Sequence, residues 1–566
     1  MRRPLGPGTA AGLVIAFGVA LRVGYFVQRP SLWGDEAMLA LNIGGRSFGR
    51  LLSPLDYAQI ASFPFLWLER AAFLTLGANE YALRLWPLIA GCVLLVLVYR
   101  LAVQIVPAGA AVLATAIAAT AYPLIRYSGE VKPYTLDACV SAVVLLCALA
   151  VLREPDVRRG WVRLGAIGTI GIIGSLSAVF TCAAALVTLA AIVWTRRSRD
   201  GISRVAMLAI TWLVAFAGAY RLALTSPATA AYMQRFWEAA FLRPGTPHLS
   251  RRVVLGLGEL ACSVNCWGGI FDRLWLVAGL TAAGSTWVAL RRGRATALLL
   301  LATLTAPFGA SVAGEYPIAV RLLLFTTPAL AVLCAAGVWW AGTAVSRSQP
   351  AAGAALLGVL FVGSAAIPAW AWVTVQSPIE PSKREEIRPL VKELAERGAP
   401  GEPVYIFART IPGWTFYTTD WRWPDPNQLR WTAKVAGLGG PSFNNGAARG
   451  RRSPAMATVP DFSWRRHRIV IGTSTGAQAR AWLGFVPTFP DTGWAETEAE
   501  RLHAAAHARA WVLLSGYAHT QLDESAPLLE AIRRTGGTVH IVSASSGAEL
   551  LSIDYPQPPA IVAGPP

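Results

Sequence analysis

The sequence predicts a polytopic α-helical membrane protein followed by a C-terminal α/β domain. Three observations predict it. The chain is 54% hydrophobic and only 14% charged over 566 residues, where soluble domains carry about 25% charged residues. Its apolar residues gather into runs of roughly 20, the length a helix needs to cross hydrocarbon. After residue 376 the runs shorten to strand length and alternate with helical patterns, as in an α/β fold with a partly parallel sheet.

Taken in order, the runs at 10–28, 82–101, 108–125, 135–152, 163–177, 179–195, 204–222, 271–290, 295–313, 321–344 and 353–375 predict about eleven spans. The first, Ala10–Val27, lacks a convincing cleavage site and reads as a retained anchor. The stretch 163–195 is longer than one helix can use without severe mismatch, so it divides near Ser175–Ser177. Arg2 and Arg3, Arg100 and the clusters at 153–163, 196–204 and 291–294 crowd into short connections on one side, which is then cytoplasmic. An odd number of spans puts the N-terminus inside and the C-terminus outside. The division that follows is a transmembrane domain at 1–375 and an extracytoplasmic α/β domain at 376–566.

Within the first outer loop, Phe63–Leu76 is semi-apolar, carries Glu69 and Arg70, and reads as a helix lying along the membrane interface. The outer loop 223–270 holds Trp237 and Trp267, which suit an interfacial belt better than a substrate platform. In the C-terminal domain, strands are expected at Val404–Phe407, Arg468–Ile471, Ala510–Leu514 and Val539–Val542. Helices are expected at Arg384–Arg397, Gly476–Leu483 and Ser525–Arg534. Tyr405, Trp414, Tyr417, Trp421 and Trp423 form an aromatic-rich patch best read as core. Residues 435–460 read as a mobile loop and Pro556–Pro566 as a disordered tail.

The net charge of +18 could suggest a nucleic-acid partner. The basic residues lie largely in short clusters between apolar segments, however, which is the topogenic pattern instead. Of the 50 basic residues only Lys132, Lys383, Lys392 and Lys434 are lysine. None of the seven cysteines follows residue 334, so the C-terminal third cannot rest on disulfides or a cysteine metal site. Cys262 and Cys266 could bridge, but two unpaired thiols on one helix face is the favoured reading.

Three outer-face stretches carry ionisable groups at one membrane boundary. They are Ser31-Leu-Trp-Gly-Asp-Glu-Ala37, Tyr127-Ser-Gly-Glu-Val-Lys-Pro-Tyr-Thr-Leu-Asp137 and Glu315-Tyr-Pro-Ile-Ala-Val-Arg321. Charges near hydrocarbon are costly unless paired, hydrated or used. A carboxylate can take a proton from an acceptor hydroxyl or amine. Cations can hold a phosphate leaving group as its charge grows. No phosphate-binding Gly-x-x-x-x-Gly-Lys-Ser/Thr and no dinucleotide glycine fingerprint is present, which argues against ATP, a nucleotide-sugar donor or any nucleotide cofactor.

Leu32–Ala37 after the first span, Ser128–Asp137, and Arg321 with Pro328 opening a late span together resemble the GT-C membrane glycosyltransferases. The branch resembled is the bacterial group similar to protein mannosyltransferases and to the aminoarabinose and rhizobial lipopolysaccharide glycosyltransferases. The resemblance covers roughly residues 10–375, and Arg384–Leu390 with Gly401–Phe407 looks like the outer domain attached to some members. It implies a GT-C fold, a multi-pass protein of the bacterial inner membrane, and a polyprenyl-phosphate-linked sugar donor used on the outer face. By the family pattern, Asp35 would be the catalytic base, with Glu36 in support. Lys132 and Arg321 would contact the donor phosphate, with Glu130, Tyr134 and Asp137 supporting them. Many relatives carry arginine where Lys132 stands; lysine keeps the charge and loses the bidentate fork. Some members need a divalent cation near the first-loop carboxylate, and metal dependence is left open.

The leading expectation is therefore an inverting glycosyltransferase that moves a sugar from a polyprenyl-phosphate donor to a lipid, glycan or protein acceptor. The alternatives are a lipid-linked sugar flippase or transporter, or a non-catalytic membrane protein of cell-envelope assembly. Transporters place charges near the bilayer midplane and are often built from repeats, whereas here the charges lie at the outer edge and no repeat is visible.

Overall fold

A computed structural model describes residues 6–223, 227–266, 270–345, 352–353, 355–363, 366, 385–426, 428–429, 432, 462–471, 494–506, 508–515 and 525–556. In chain order the helices begin with α1 (Pro7–Val27), α2 (Gly34–Gly45), α3 (Phe63–Leu76), α4 (Glu80–Ala102), α5 (Ala108–Thr120), α6 (Tyr122–Tyr127), α7 (Tyr134–Arg153), α8 (Arg158–Gly174) and α9 (Ala178–Arg196). There follow α10 (Arg199–Ala223), α11 (Pro227–Phe236), α12 (Leu249–Cys262), α13 (Ile270–Arg292), α14 (Arg294–Val312), a 3-10 helix at Val320–Thr326 and α15 (Thr327–Val345). The C-terminal part adds α16 (Ile387–Arg397), α17 (Ile411–Thr418), α18 (Trp494–Ala505) and α19 (Ser525–Arg534), with strands β1 (Val404–Ile406), β2 (Phe462–Trp464), β3 (His467–Ile471), β4 (Arg509–Ser515), β5 (Thr538–Ser545) and β6 (Ala548–Asp554).

The chain packs as two units. One comprises Met1–Arg29, Ala61–Leu224 and Trp237–Ile379; the other comprises Pro30–Ile60, Thr225–Phe236 and Glu380–Pro566.

The first unit is a helical membrane body. Among the described residues, seven helices are long and apolar enough to cross a membrane: Pro7–Val27, Glu80–Ala102, Tyr134–Arg153, Ala178–Arg196, Arg199–Leu222, Arg294–Val312 and Val320–Thr343. Of the other expected spans, α5 and α8 are present but shorter, at 13 and 17 residues, and α13 runs the full 23 residues but is diluted by Gly, Ser and Thr. The last expected span, 353–375, lies largely outside the described residues. The apolar run 163–195 does break at Ser175–Ser177, between α8 and α9.

The expected single helix 108–125 is instead broken. Ala121 is extended at φ −61°, ψ 106°, and Pro123 opens α6. Proline crowds the backbone before it and cannot continue a helical ladder, so the run restarts. The break leaves carbonyls at the end of α5 without helical donors. Arg22, fully buried in α1, supplies them: its guanidinium donates to the carbonyls of Ala118 at 3.1 Å and Ala119 at 3.2 Å. Late in the unit, α13 and α15 pack along their length. Gly284 meets the Leu333 carbonyl and Gly337 the Leu280 carbonyl so closely that a Cβ at either would overlap it. Small residues at such crossings let helices approach where no hydrophobic driving force exists between them.

The second unit contains a six-stranded sheet in the order β2-β3-β1-β4-β6-β5. Strands β3, β1 and β4 run parallel; β2, β6 and β5 join antiparallel toward the edges. Alternation within the strands explains the layering. Val404 and Ile406, with Trp511 and Leu513, face a core built with Ile387, Leu390 and Leu394 of α16 and Trp414 of α17. Tyr405, Val512 and Leu514 face the opposite core, with Leu502 of α18 and Leu528 and Ile532 of α19. Strands covered on both faces read as unbroken apolar runs.

Helix α19 and the four expected strands appear near their expected places. Strands β2 and β6 and helices α17 and α18 were not anticipated. The expected helix Gly476–Leu483, the loop 435–460 and all of the tail after Pro556 lie outside the described residues. Of the aromatic patch, Tyr405 and Trp414 are core while Trp423 is 85% exposed.

Cys262 and Cys266 form a disulfide, which corrects the expectation of two free thiols on one helix face. Helix α12 ends at Cys262, so Cys266 lies beyond its last turn and the chain folds back to it.

Candidate active site

The first group of site residues belongs to the second unit. Trp33 is extended and caps α2, which puts Asp35 and Glu36 in its first turn, where carboxylates are favoured by the helix dipole. Glu36 is buried at 1% exposure, and Asp35 is half-buried. Asp35 Oδ1 accepts a hydrogen bond from Gln59 Nε2 at 3.0 Å. Gln59 is set by an unusual backbone, because Tyr57 and Ala58 both take positive φ, at 60° and 52°. Asn42 of α2 braces the same loop: its Nδ2 donates to the Asp56 carbonyl at 3.2 Å and its Oδ1 accepts from Asp56 N at 2.8 Å.

Tyr232 of α11 senses the same carboxylate. Its phenol is pushed up to about 12, first by burial and then by the negative charge of Asp35, with Arg409 opposing. Arg409 stands in the turn that follows the parallel strand β1, and the carboxyl edge of parallel strands is where α/β sheets gather function. Asp35 of α2 and Arg409 of the turn after β1 thus both act on Tyr232 of α11.

The second group belongs to the membrane unit. The stretch after α6 folds back under close contacts: Ser128 meets Gly91 of α4, and Gly129 lies against the Tyr25 ring so tightly that a Cβ would overlap it. Glu130 Oε1 accepts from Arg126 Nε at 2.6 Å, with both side chains buried. Lys132 is only 5% exposed. Tyr134, at the start of α7, packs edge-on against Tyr127, ring centroids 5.0 Å apart. Asp137, one turn further, accepts hydrogen bonds from Ser175 and Ser177 in the break between α8 and α9.

Arg321 is the second residue of the 3-10 helix Val320–Thr326, which packs on α6 and α7, the helices that flank Lys132. Its guanidinium lies over the Trp237 ring, 4.8 Å from the centroid, a cation–π contact. Glu259 of α12 accepts from Val320 N at 2.7 Å and fixes the entry to this turn. Tyr316 donates to the Leu322 carbonyl at 2.8 Å. Its phenol is held well above the ordinary range by burial, then by Asp137 and Tyr134.

The structure therefore gathers Lys132, Glu130, Tyr134, Asp137 and the Arg321 turn within one unit, and Asp35 and Glu36 within the other. Sequence reasoning missed Gln59, Tyr232, Arg409, Tyr316 and Glu259. Among the described residues, no group of three or more His, Cys, Asp or Glu side chains is placed to hold a metal ion.

The sequence pattern of the dolichyl-phosphate-mannose-protein mannosyltransferase family matches residues 62–220. No curated protein matches the chain. Among solved structures, ArnT from Cupriavidus metallidurans in the apo state aligns with a TM-score of 0.52 at 15% identity, covering 96% of this chain and 98% of ArnT. The same protein bound to undecaprenyl phosphate aligns at 0.50, again with 15% identity, 96% of this chain and 98% of that one. The Archaeoglobus fulgidus oligosaccharyltransferase tethered to an acceptor peptide aligns at 0.51 with 14% identity, covering 96% of this chain and 73% of its own.

Proposed function

We propose that this chain, whose fold is that of the GT-C membrane glycosyltransferases, transfers a sugar from a polyprenyl-phosphate donor to an acceptor on the outer face of the cytoplasmic membrane. The observation that carries this reading is a buried cation, Lys132, in a membrane body of this fold, with a second cation, Arg321, on a turn packed against the helices flanking it. Charged side chains inside a membrane body are rare and cluster along substrate pathways, and a lipid phosphate is an anion that arrives at that depth. The undecaprenyl phosphate bound by ArnT supports the same donor class.

In the proposed reaction, an acceptor hydroxyl or amine attacks the anomeric carbon from the face opposite the phosphate. A new glycosidic bond forms as the bond from that carbon to the phosphate oxygen breaks. Asp35 takes the acceptor proton, helped by the fixed orientation that Gln59 gives its carboxylate. Glu36 supports α2 beside it. Lys132 and Arg321 offset the charge that grows on the departing polyprenyl phosphate. Glu130 and Arg126 form the buried pair before Lys132, and Tyr134 and Asp137 fix the start of α7 after it. Inversion at the anomeric carbon follows from a single displacement.

The Cys262–Cys266 disulfide supports an oxidising, extracytoplasmic side for its loop. The test is transfer by purified protein supplied with synthetic polyprenyl-phosphate sugars. Appearance of glycosylated acceptor with release of polyprenyl phosphate is the expected result. Movement of the intact lipid-linked sugar across vesicles without transfer would replace this reading with that of a flippase.

A further inference from the structure

Three of the four residues before Asp35 are held by side chains far away in sequence. Ser31 donates through both its backbone N and its hydroxyl to Glu386 Oε2, at 3.0 Å each. Leu32 N donates to the Tyr417 hydroxyl at 2.7 Å. Gly34 N donates to Glu385 Oε2 at 3.0 Å. Arg388 N closes the arrangement by donating to Ser31 Oγ at 3.2 Å. Gly34 opens α2, so its N–H is one of the donors that the helix itself cannot satisfy.

The holders are themselves fixed. Glu385 is 8% exposed. Glu386 N donates to the Ser546 carbonyl at 2.9 Å, and Ser545 Oγ donates to the Glu386 carbonyl at 2.7 Å. The Glu386 backbone is thereby tied to the β5–β6 hairpin, with Glu385 next to it in the chain. A short neutral cap would serve helix stability by itself. Carboxylates are charged acceptors whose bonds to backbone donors are stronger than neutral ones, and they fix a segment whose next residue is Asp35.

We infer that Glu385 and Glu386 are positioning residues, which hold the backbone of Ser31–Gly34 so that the Asp35 carboxylate meets the acceptor in one orientation. The inference rests on the assignment of Asp35 as the base. It gives the C-terminal unit a part in catalysis through Asp35, while donor binding stays with Lys132 and Arg321. A base displaced by about 1 Å can cost about a hundredfold in rate.

The experiment compares full-length Glu385→Ala, Glu386→Ala and Tyr417→Phe proteins, with Glu385→Gln and Glu386→Gln as conservative partners. Turnover per folded molecule, donor KM and amide hydrogen exchange over residues 30–37 are measured on each. The alanine variants should lose about ten- to a hundredfold in kcat with donor KM near that of the wild type, and the amides of Ser31–Gly34 should exchange faster. The glutamine variants, which keep an acceptor oxygen, should recover most of the rate. Tyr417→Phe removes one acceptor and keeps the ring, so it reports even where an alanine variant folds poorly. Unchanged exchange overturns the inference, as does faster exchange with unchanged kcat, or a loss of yield with normal turnover. Should the wild type transfer nothing from polyprenyl-phosphate donors, the proposed function fails, and the exchange measurement alone then decides whether these acids hold the segment.

Discussion

At the residue scale, the proposed chemistry turns on a half-buried carboxylate that accepts from Gln59 and on a buried ammonium. Asp35→Asn keeps the shape and the Gln59 contact but removes the proton acceptor. Turnover should fall by about a hundredfold or more, with folded yield and donor binding near normal, because the group acts in the transition state. Normal turnover in well-folded Asp35→Asn protein would make Asp35 a helix-cap acid only. Lys132→Ala should raise donor KM and lower kcat/KM by an amount worth about 1.5–3 kcal/mol, as for a lost charged hydrogen-bond partner. Unchanged donor kinetics would reduce Lys132 to a topogenic charge. Asp35, Glu36, Lys132 and Arg321 of the proposed site could be read from the chain because ionisable groups at a membrane edge are conspicuous. Gln59, Tyr232 and Arg409 could not, since their places around α2 and α11 depend on positive φ at Tyr57 and Ala58 and on the turn after β1, none of which leaves a pattern in composition or spacing. Arg22 was hidden differently: it sits inside an apolar run that counted simply as a span.

At the element scale, spans were legible where length and hydropathy agree, as in α1, α4, α7 and α9. Pro123 carried a signal that the apolar run around it masked, and the α5–α6 break follows from it. Strands β2 and β6 escaped notice for opposite reasons. Phe462–Trp464 is three residues long, too short for a periodic pattern, and Ala548–Asp554 mixes acids with leucines. The α13–α15 crossing gives a direct test of helix packing. Gly337→Ala places a methyl against the Leu280 carbonyl and should cost about 1–3 kcal/mol, the range for overpacking, visible as a lower melting temperature and lower yield. Gly279→Ala, in the same pair of helices but with open space around it, should leave both unchanged. Equal effects from the two substitutions would mean that the crossing is looser than the geometry implies.

At the scale of the whole molecule, the α/β unit and the polytopic body were both legible, because the apolar runs change length so sharply after residue 376. That Pro30–Ile60 belongs to the same compact unit as the C-terminal residues was not, because long-range pairings such as Ser31 with Glu386 have no local signature. Topology is testable by itself: the arginine clusters predict an active phosphatase reporter fused to the C-terminus. A signal only from a cytoplasmic reporter would put Asp35 and the disulfide on the wrong side and remove the mechanism. The most direct test of the central claim is release of polyprenyl phosphate coupled to acceptor glycosylation, measured on purified wild-type and Asp35→Asn protein with a synthetic polyprenyl-phosphate sugar. The account predicts stoichiometric release and transfer with inversion by the wild type, and loss of about a hundredfold or more in the variant. Equal rates in the two proteins, or transfer with retention, would contradict it.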